Sequence, residues 1–187
     1  VDLRGLAGVA GSAAQWMCGL SGPTSLVQSE SAVENAVTLR EGFSFSGVTS
    51  LNAAFSEMAT LERASLADVC ATDVDLAHAF ADDPALTEVA LATSAADGMP
   101  AGSATDMTGM FSGCKVLTKV DLSGIGTARI QGMVEATGTS PSGMREMFSG
   151  CAKLSHAPGE GFNQIEAEGE IVIGAGFTRV LNGFFAD

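Results

Sequence analysis

The sequence predicts an α/β fold: a right-handed solenoid of short helix plus short strand units, with a parallel sheet along one face. Three observations carry this expectation. The run Met107-Thr108-Gly109-Met110-Phe111-Ser112-Gly113-Cys114 recurs as Met144-Arg145-Glu146-Met147-Phe148-Ser149-Gly150-Cys151, with Met-Phe-Ser-Gly-Cys identical in both. Phenylalanines mark the same place along the chain, at Phe55, Phe80, Phe111, Phe148 and Phe185. Their intervals are 25, 31, 37 and 37 residues. A Val-x-Leu ending follows two of the copies, as Val89-Ala90-Leu91 and Val120-Asp121-Leu122. Self-similarity at such a period is the mark of a repeat array, in which each unit buries its apolar face only against its neighbours.

Each element of the unit has a physical rationale. In Met107-x-x-Met110-Phe111-x-x-Cys114 the apolar residues fall at i, i+3, i+4 and i+7. That spacing is one face of a helix of about two turns. Gly113 and Gly150 lie inside it and lower its helix propensity, so the helix should be short or partly 3₁₀. After Leu117, the alternation of Val120 and Leu122 has the two-residue period of a strand with one buried face.

The same template fits Leu51 to Phe55 followed by Leu61 and Leu66, and Leu76 to Phe80 followed by Leu86. At the front, Val1-Asp2-Leu3 matches Val120-Asp121-Leu122, Ala13 to Met17 takes the apolar-to-Phe place, and Val37-Thr38-Leu39 supplies a strand. After Leu154, Ala157-Pro158 replaces the Val-x-Leu ending. Ile165 to Ile173 alternates and ends β-branched, so it should form a strand, or two, in that place. Ala95 to Thr105 and Ala136 to Ser142 read as loops of variable length.

Leu181 to Phe185 begins a further copy. Both chain ends read as the middle of a repeat. Residues 1–187 are therefore expected to be one array of about five to six irregular repeats, a piece of something longer.

Composition limits the function. Acidic residues number 22 against 9 Lys and Arg, a formal net charge of −13. That argues against nucleic acid and against anionic membranes, both of which need a basic patch. The most apolar early stretch, Leu6 to Leu20, is interrupted by Ser12 and Gln15 and is shorter than the roughly 20 residues of a membrane span. No direct membrane insertion of this segment is expected.

The four cysteines, Cys18, Cys70, Cys114 and Cys151, form no C-x-x-C pair and have no nearby His cluster, so a zinc site is not expected. Cys114 and Cys151 share one repeat position and read as stacked, buried, reduced thiols. A disulfide there needs Cα atoms within about 7 Å, which spacing does not establish.

His78 and His156 each stand alone, without a nucleophile or carboxylate beside them in sequence, and read as rim residues. Asp73-Val74-Asp75 and Asp82-Asp83 lack the spacing of a twelve-residue calcium loop. Gly5 to Gly11 and Gly174 to Gly176 are not phosphate-cradling motifs, and Ser21 to Ser25 is a turn. No catalytic, cofactor-binding or metal-ligating residues are expected, and no enzyme activity.

The motif Met-x-x-Met-Phe-Ser-Gly-Cys-x-x-Leu-Thr-x-Val-Asp-Leu-Ser-Gly resembles the BspA-like leucine-rich repeats of bacterial and protist surface proteins. Met107, Met110, Phe111, Ser112, Gly113, Cys114, Leu117, Thr118, Asp121, Leu122 and Ser123 carry the match. Met144, Met147, Phe148, Ser149, Gly150, Cys151 and Leu154 carry it again. The family's linker is echoed in Gly126 to Ile130 and more weakly in Gly176 to Val180. The resemblance is specific over 107–155 and loose elsewhere, because the early copies lack the Ser-Gly and the Cys.

It implies a leucine-rich-repeat-like solenoid, extracellular or on the cell surface, used for adhesion or for binding a protein or glycan ligand. The alternative is a structural subunit of a larger assembly. On the binding reading, the residues between the buried positions of the strands form the candidate binding face. These are Glu88, Ala90, Lys119 and Asp121.

Overall fold

A computed structural model describes residues 1–130, 142–154 and 170–173. Within them the chain alternates between two parallel sheets. The strands are β1 (Gly11–Ser12), β2 (Ser25–Gln28), β3 (Ala36–Leu39), β4 (Val48–Ser50), β5 (Arg63–Ala67), β6 (Val74–Asp75), β7 (Glu88–Ala92), β8 (Ala104–Asp106), β9 (Lys119–Leu122) and β10 (Glu170–Ile173). The long sheet has the order β10-β9-β7-β5-β2-β3 and the short sheet β1-β4-β6-β8. The parallel sheet predicted from Val-x-Leu is the long one. Its buried residues include Ala64 and Leu66, Val89 and Leu91, and Val120 and Leu122. β10 pairs with β9 and so takes the place of the missing Val-x-Leu ending.

The predicted helices are absent. Among the described residues the helical piece is a 3₁₀ turn at Ser142–Met144. The segments expected to be helical, 51–58, 76–83, 107–114 and 144–151, together with 13–20, form a different structure, a flat rung of successive tight turns. Left-handed backbone occurs at the third and seventh residue of every rung: Gln15 and Gly19, Ala53 and Glu57, His78 and Asp82, Gly109 and Gly113, Glu146 and Gly150. An α-helix admits no such residues.

The hydrogen bonds explain why the rung wins. Within a rung, alternate N–H groups close i-to-i+3 turns, as Met110 N–H donates to the Met107 carbonyl at 3.1 Å and Ser112 N–H to Gly109 at 3.0 Å. The other N–H groups leave the rung and donate to the next. Gln15 donates to Asn52, Ala53 to Ala77, His78 to Thr108, and Gly109 to Arg145. Four such columns cross four rung-to-rung interfaces with N···O distances of 2.6–3.0 Å. An eight-residue helix is too short to hold itself, whereas a stacked rung leaves these amides paired.

The apolar spacing does not discriminate between the two structures. In a rung, as in a helix, the first, fourth, fifth and eighth residues face inward, and Leu51, Ala54, Phe55 and Met58 are all buried. The expected phenylalanine column is present over its described members. Ring centroids are 5.1 Å apart for Phe55 and Phe80, 5.7 Å for Phe80 and Phe111, and 5.3 Å for Phe111 and Phe148.

The short sheet is absent from the sequence expectation, and its β8, Ala104–Asp106, begins inside the Ala95 to Thr105 segment that the sequence places in a loop. Each of its strands is two or three residues long and ends in a residue that starts the rung. Ser12 and Ser50 Oγ, and Asp75 and Asp106 Oδ1, accept the N–H two residues on, at 3.4, 3.2, 2.9 and 2.8 Å. This side-chain turn redirects the chain from strand to rung.

At the front the chain steps back. After β2 it lays β3 on the outer side, and Asp2 bridges Thr38 beyond that. Val1 to Leu3 and Val37 to Leu39 therefore occupy long-sheet positions, as the repeat alignment requires. Ala136 to Pro141, His156, Ala157-Pro158, Ile165 to Gly169, Gly174 to Val180 and Leu181 to Phe185 lie outside the described residues.

Candidate functional site

The long sheet's outer face is built by strand alternation. Because Val89, Leu91, Val120 and Leu122 point into the core, the residues between them point out. Glu88 pairs in register with Lys119, and Ala90 with Asp121. The four residues predicted as a binding face are thus adjacent on one surface, where Lys119 is exposed and the other three are half-buried.

The register extends that surface beyond the prediction. One row runs Arg63, Glu88, Lys119, Glu170, and a second runs Ser65, Ala90, Asp121, Val172. The first row alternates in charge, and Arg63 Nε lies 4.0 Å from Glu88 Oε2. Such exposed cross-strand pairs contribute about 0.2–1 kcal/mol each. Between β7, β9 and β10 these residues line a shallow groove of about 220 Å³. Val172 is 41 % exposed, an apolar side chain on a face that is polar but for it and Ala90.

Asp121 has a second role. Its Oδ1 accepts the Ser123 N–H at 2.8 Å and closes the strand. Asp2, at the aligned position, does the same for Arg4 N–H at 3.1 Å. The Arg4 guanidinium also hydrogen-bonds the Asp2 carboxyl and holds it at about 2, below the usual carboxylate range.

A larger cleft of about 690 Å³ lies beyond the ends of β2, β5 and β7, and no sequence signal marks it. Its polar groups support its walls. Gln28 Oε1 accepts Ala67 N–H at 2.7 Å, and its Nε2 donates to the Phe43 carbonyl at 3.3 Å. Asp68 accepts both the N–H and the hydroxyl of Ser94, at 2.8 and 2.7 Å. The linker echo at Gly126 to Ile130 stacks on β8, where Ala104 N–H donates to the Gly126 carbonyl at 2.7 Å.

The acidic pairs separate in space. Asp73 faces Arg129, with 3.6 Å between Oδ2 and Nε, while Asp75 starts a rung. Asp82 is exposed, whereas Asp83 is 0 % exposed. No cluster of three metal-type ligands occurs among the described residues. His78 is exposed, and its imidazole lies over Gly109 of the next rung, in space that a Cβ there would fill. Asp82 covers Gly113 in the same way. Glycine at these two positions admits both the positive φ and the close approach.

The eighth rung position forms an inward column of Leu20, Met58, Asp83, Cys114 and Cys151. Cys114 Sγ donates to the Phe80 carbonyl at 2.9 Å, and Cys151 Sγ to Phe111 at 3.0 Å. All four cysteines are unpaired thiols. Burial pushes Cys70 and Cys151 up to about 12 and raises Cys114 as well. Only Cys18 is partly accessible. In the native protein a thiol-specific reagent at pH 8 should therefore modify Cys18 alone, and mass spectrometry after quenching would count the adducts. Rapid labelling of Cys114 or Cys151 without denaturant would contradict the buried column.

Comparison with known proteins leaves this geometry to stand by itself: no family model, no curated protein and no solved structure matches the chain. No helix among the described residues is long and apolar enough to cross a membrane.

Proposed function

We propose that the chain is a non-catalytic module that binds a protein or glycan partner through the outer face of its long sheet. Adhesion or recognition outside the cell, the role implied by the repeat resemblance, is the setting this reading expects. The observation that supports it is the register. It gathers outward side chains from β5, β7, β9 and β10 onto one broad, pre-formed surface, carrying both charge signs and the apolar Val172. A rigid parallel sheet presents such a surface with little ordering cost on binding.

Ala90 lies at the centre of the face and Lys119 beside it. In screening against a glycan array and a panel of immobilised extracellular proteins, a hit made through this face should lose about tenfold or more in affinity with Ala90→Arg or Lys119→Glu. The circular dichroism of both variants should match the parent. Binding that survives both substitutions would move the site elsewhere.

A second reading, an assembly subunit, is favoured by a separate observation. Core residues at the first rung, Ala13, Trp16 and Leu20, are only half covered.

A further inference from the structure

The cleft beyond β2, β5 and β7 has an architectural cause. Segment 40–47 leads from β3 to β4, and segment 68–73 leads from β5 to β6. In the short sheet β4 and β6 are neighbours, with Ser50 opposite Asp75. In the long sheet β3 and β5 are two places apart, because β2 lies between them. β2 sends no segment across, since its chain turns back through 29–35 to β3. The two segments therefore start about 10 Å apart and converge to about 5 Å, leaving a wedge that lacks one layer of chain.

Segments 68–73 and 93–103, which leave neighbouring strands, stay in contact. Gly102 N–H donates to the Cys70 carbonyl at 2.8 Å, and Ser94 N–H to Asp68 Oδ1 at 2.8 Å. Across the wedge, the narrow end is closed by Thr72 Oγ1, which donates to the Val48 carbonyl at 2.8 Å. At the wide end the Gln28 side chain spans the gap between Ala67 N–H and the Phe43 carbonyl. Between these ends lie the cleft of about 690 Å³ and a second cavity of about 330 Å³, which share Gly42, Phe43, Asp68 and Ser94.

Charge and hydrogen-bonding capacity select what fits there. No Lys, Arg or His borders either cavity. Gln28 and Asp68 have both polar atoms bonded to the walls, and the Ser94 hydroxyl is donated to Asp68. The carboxylates of Glu30 and Glu41, by contrast, have no partner among the described residues. Arg4 and Arg40 meet these two residues at their main-chain carbonyls, at 2.7 and 3.5 Å, and the Arg4 charge is paired with Asp2. We infer that the wedge docks an extended segment of a partner protein that carries lysine or arginine. The partner's backbone supplies the missing layer, one chain wide. Phe43, Leu66 and Ala92 offer apolar wall to the methylenes of a basic side chain, whose head group meets the exposed carboxylates of Glu30 and Glu41. Sulfated or phosphorylated ligands are repelled by the same charges. The inference does not need the sheet-face reading, since of the residues named for that face Ser65 alone also borders the cleft.

A fluorescein-labelled lysine hexapeptide is a suitable probe, compared with a glutamate hexapeptide and a glycine–serine peptide of equal length. In about 0.15 M salt, exposed charges more than about 8 Å apart are largely screened. Fluorescence anisotropy with the unmodified 187-residue protein should show binding of the lysine peptide and of neither comparison. Glu30→Gln combined with Glu41→Gln should weaken that binding by about tenfold or more. Glu34→Gln combined with Glu62→Gln removes the same charge from exposed positions that do not border the cleft, and should change it by less than about twofold. All four side chains are exposed, so both double variants should keep the circular dichroism of the parent. Equal losses in the two double variants overturn the inference, because the attraction would then come from net charge alone. So does a lysine peptide that fails to bind at up to about 1 mM. Tighter binding of the glycine–serine peptide, or of a neutral oligosaccharide such as maltohexaose, overturns it as well.

Discussion

Replacing Asp83 with Asn should stabilise the protein near neutral pH and remove most of a pH dependence that the parent shows. Asp83 is wholly buried at the rung position where later copies carry cysteine. Its Oδ1 accepts Met58 N–H at 2.7 Å, while Oδ2 has no partner. Burial is the main cause that pushes its carboxyl up to about 8. Met58 N–H acts against it, and the charges of Asp82 and Glu57 add to it.

The sign follows from linkage. A carboxyl whose folded pKa lies above its unfolded value binds more protons in the folded state between the two values. Stability therefore falls as pH rises from about 4 to about 8 and is level beyond. At about 1.4 kcal/mol per unit, the cost near pH 7 is on the order of 4 kcal/mol.

Cys114 and Cys151 suggest how the protonated acid is accommodated. Each donates to the phenylalanine carbonyl of the preceding rung. For Asp83 the corresponding acceptor is the Phe55 carbonyl. Asn keeps the Met58 acceptor and carries a permanent donor, and Cys restores the column outright. Urea unfolding from pH 5 to 9 should show Asp83→Asn and Asp83→Cys gaining on the parent as pH rises. Parallel curves over that range would mean that the carboxyl is not buried and orphaned in the folded protein.

Phe111→Ala should be among the most destabilising single substitutions, by about 3–5 kcal/mol. The ring lies between Phe80, at an interplanar angle of 13°, and Phe148, at 5°. Truncation leaves a void facing two neighbours in a stack held together by nearest-neighbour contacts. It also removes two aromatic pairs worth about 0.5–1.5 kcal/mol each beyond their area. Phe111→Leu fills most of the volume and should cost about half as much. Equilibrium denaturation of the two variants would test this. An Ala variant within about 1 kcal/mol of the parent would rule out a continuous column.

How much of this fold is legible in the sequence depends on what spacing can encode. Phe55, Phe80, Phe111 and Phe148 share one position within the repeat, and they stack. The outward set Glu88, Ala90, Lys119 and Asp121 follows from alternation alone, since a strand has no other way to bury Val89, Leu91, Val120 and Leu122. Ile165 to Ile173 reads as a strand, or two, in the place of a missing ending, and its described part, Glu170–Ile173, pairs there.

The rungs look like helices in the sequence because both structures turn the same four positions inward. Gly109 and Gly113 hint at left-handed backbone, but Ala53, Glu57, His78 and Asp82 adopt it without any local sign. The short sheet escapes notice because strands of two or three residues carry no readable period.

The sequence by itself determined the repeat, its phase, the buried column and the exposed face of the long sheet. Those features follow from which side chains avoid water, a property each residue carries wherever it is placed. Only the tertiary structure decided that the repeated segment is a rung and not a helix, and that Asp82 and Asp83 part company. Each of these depends on where backbone N–H groups find acceptors. In this protein the acceptors lie on the neighbouring rung, 24 to 37 residues away along the chain, beyond the reach of any local reading.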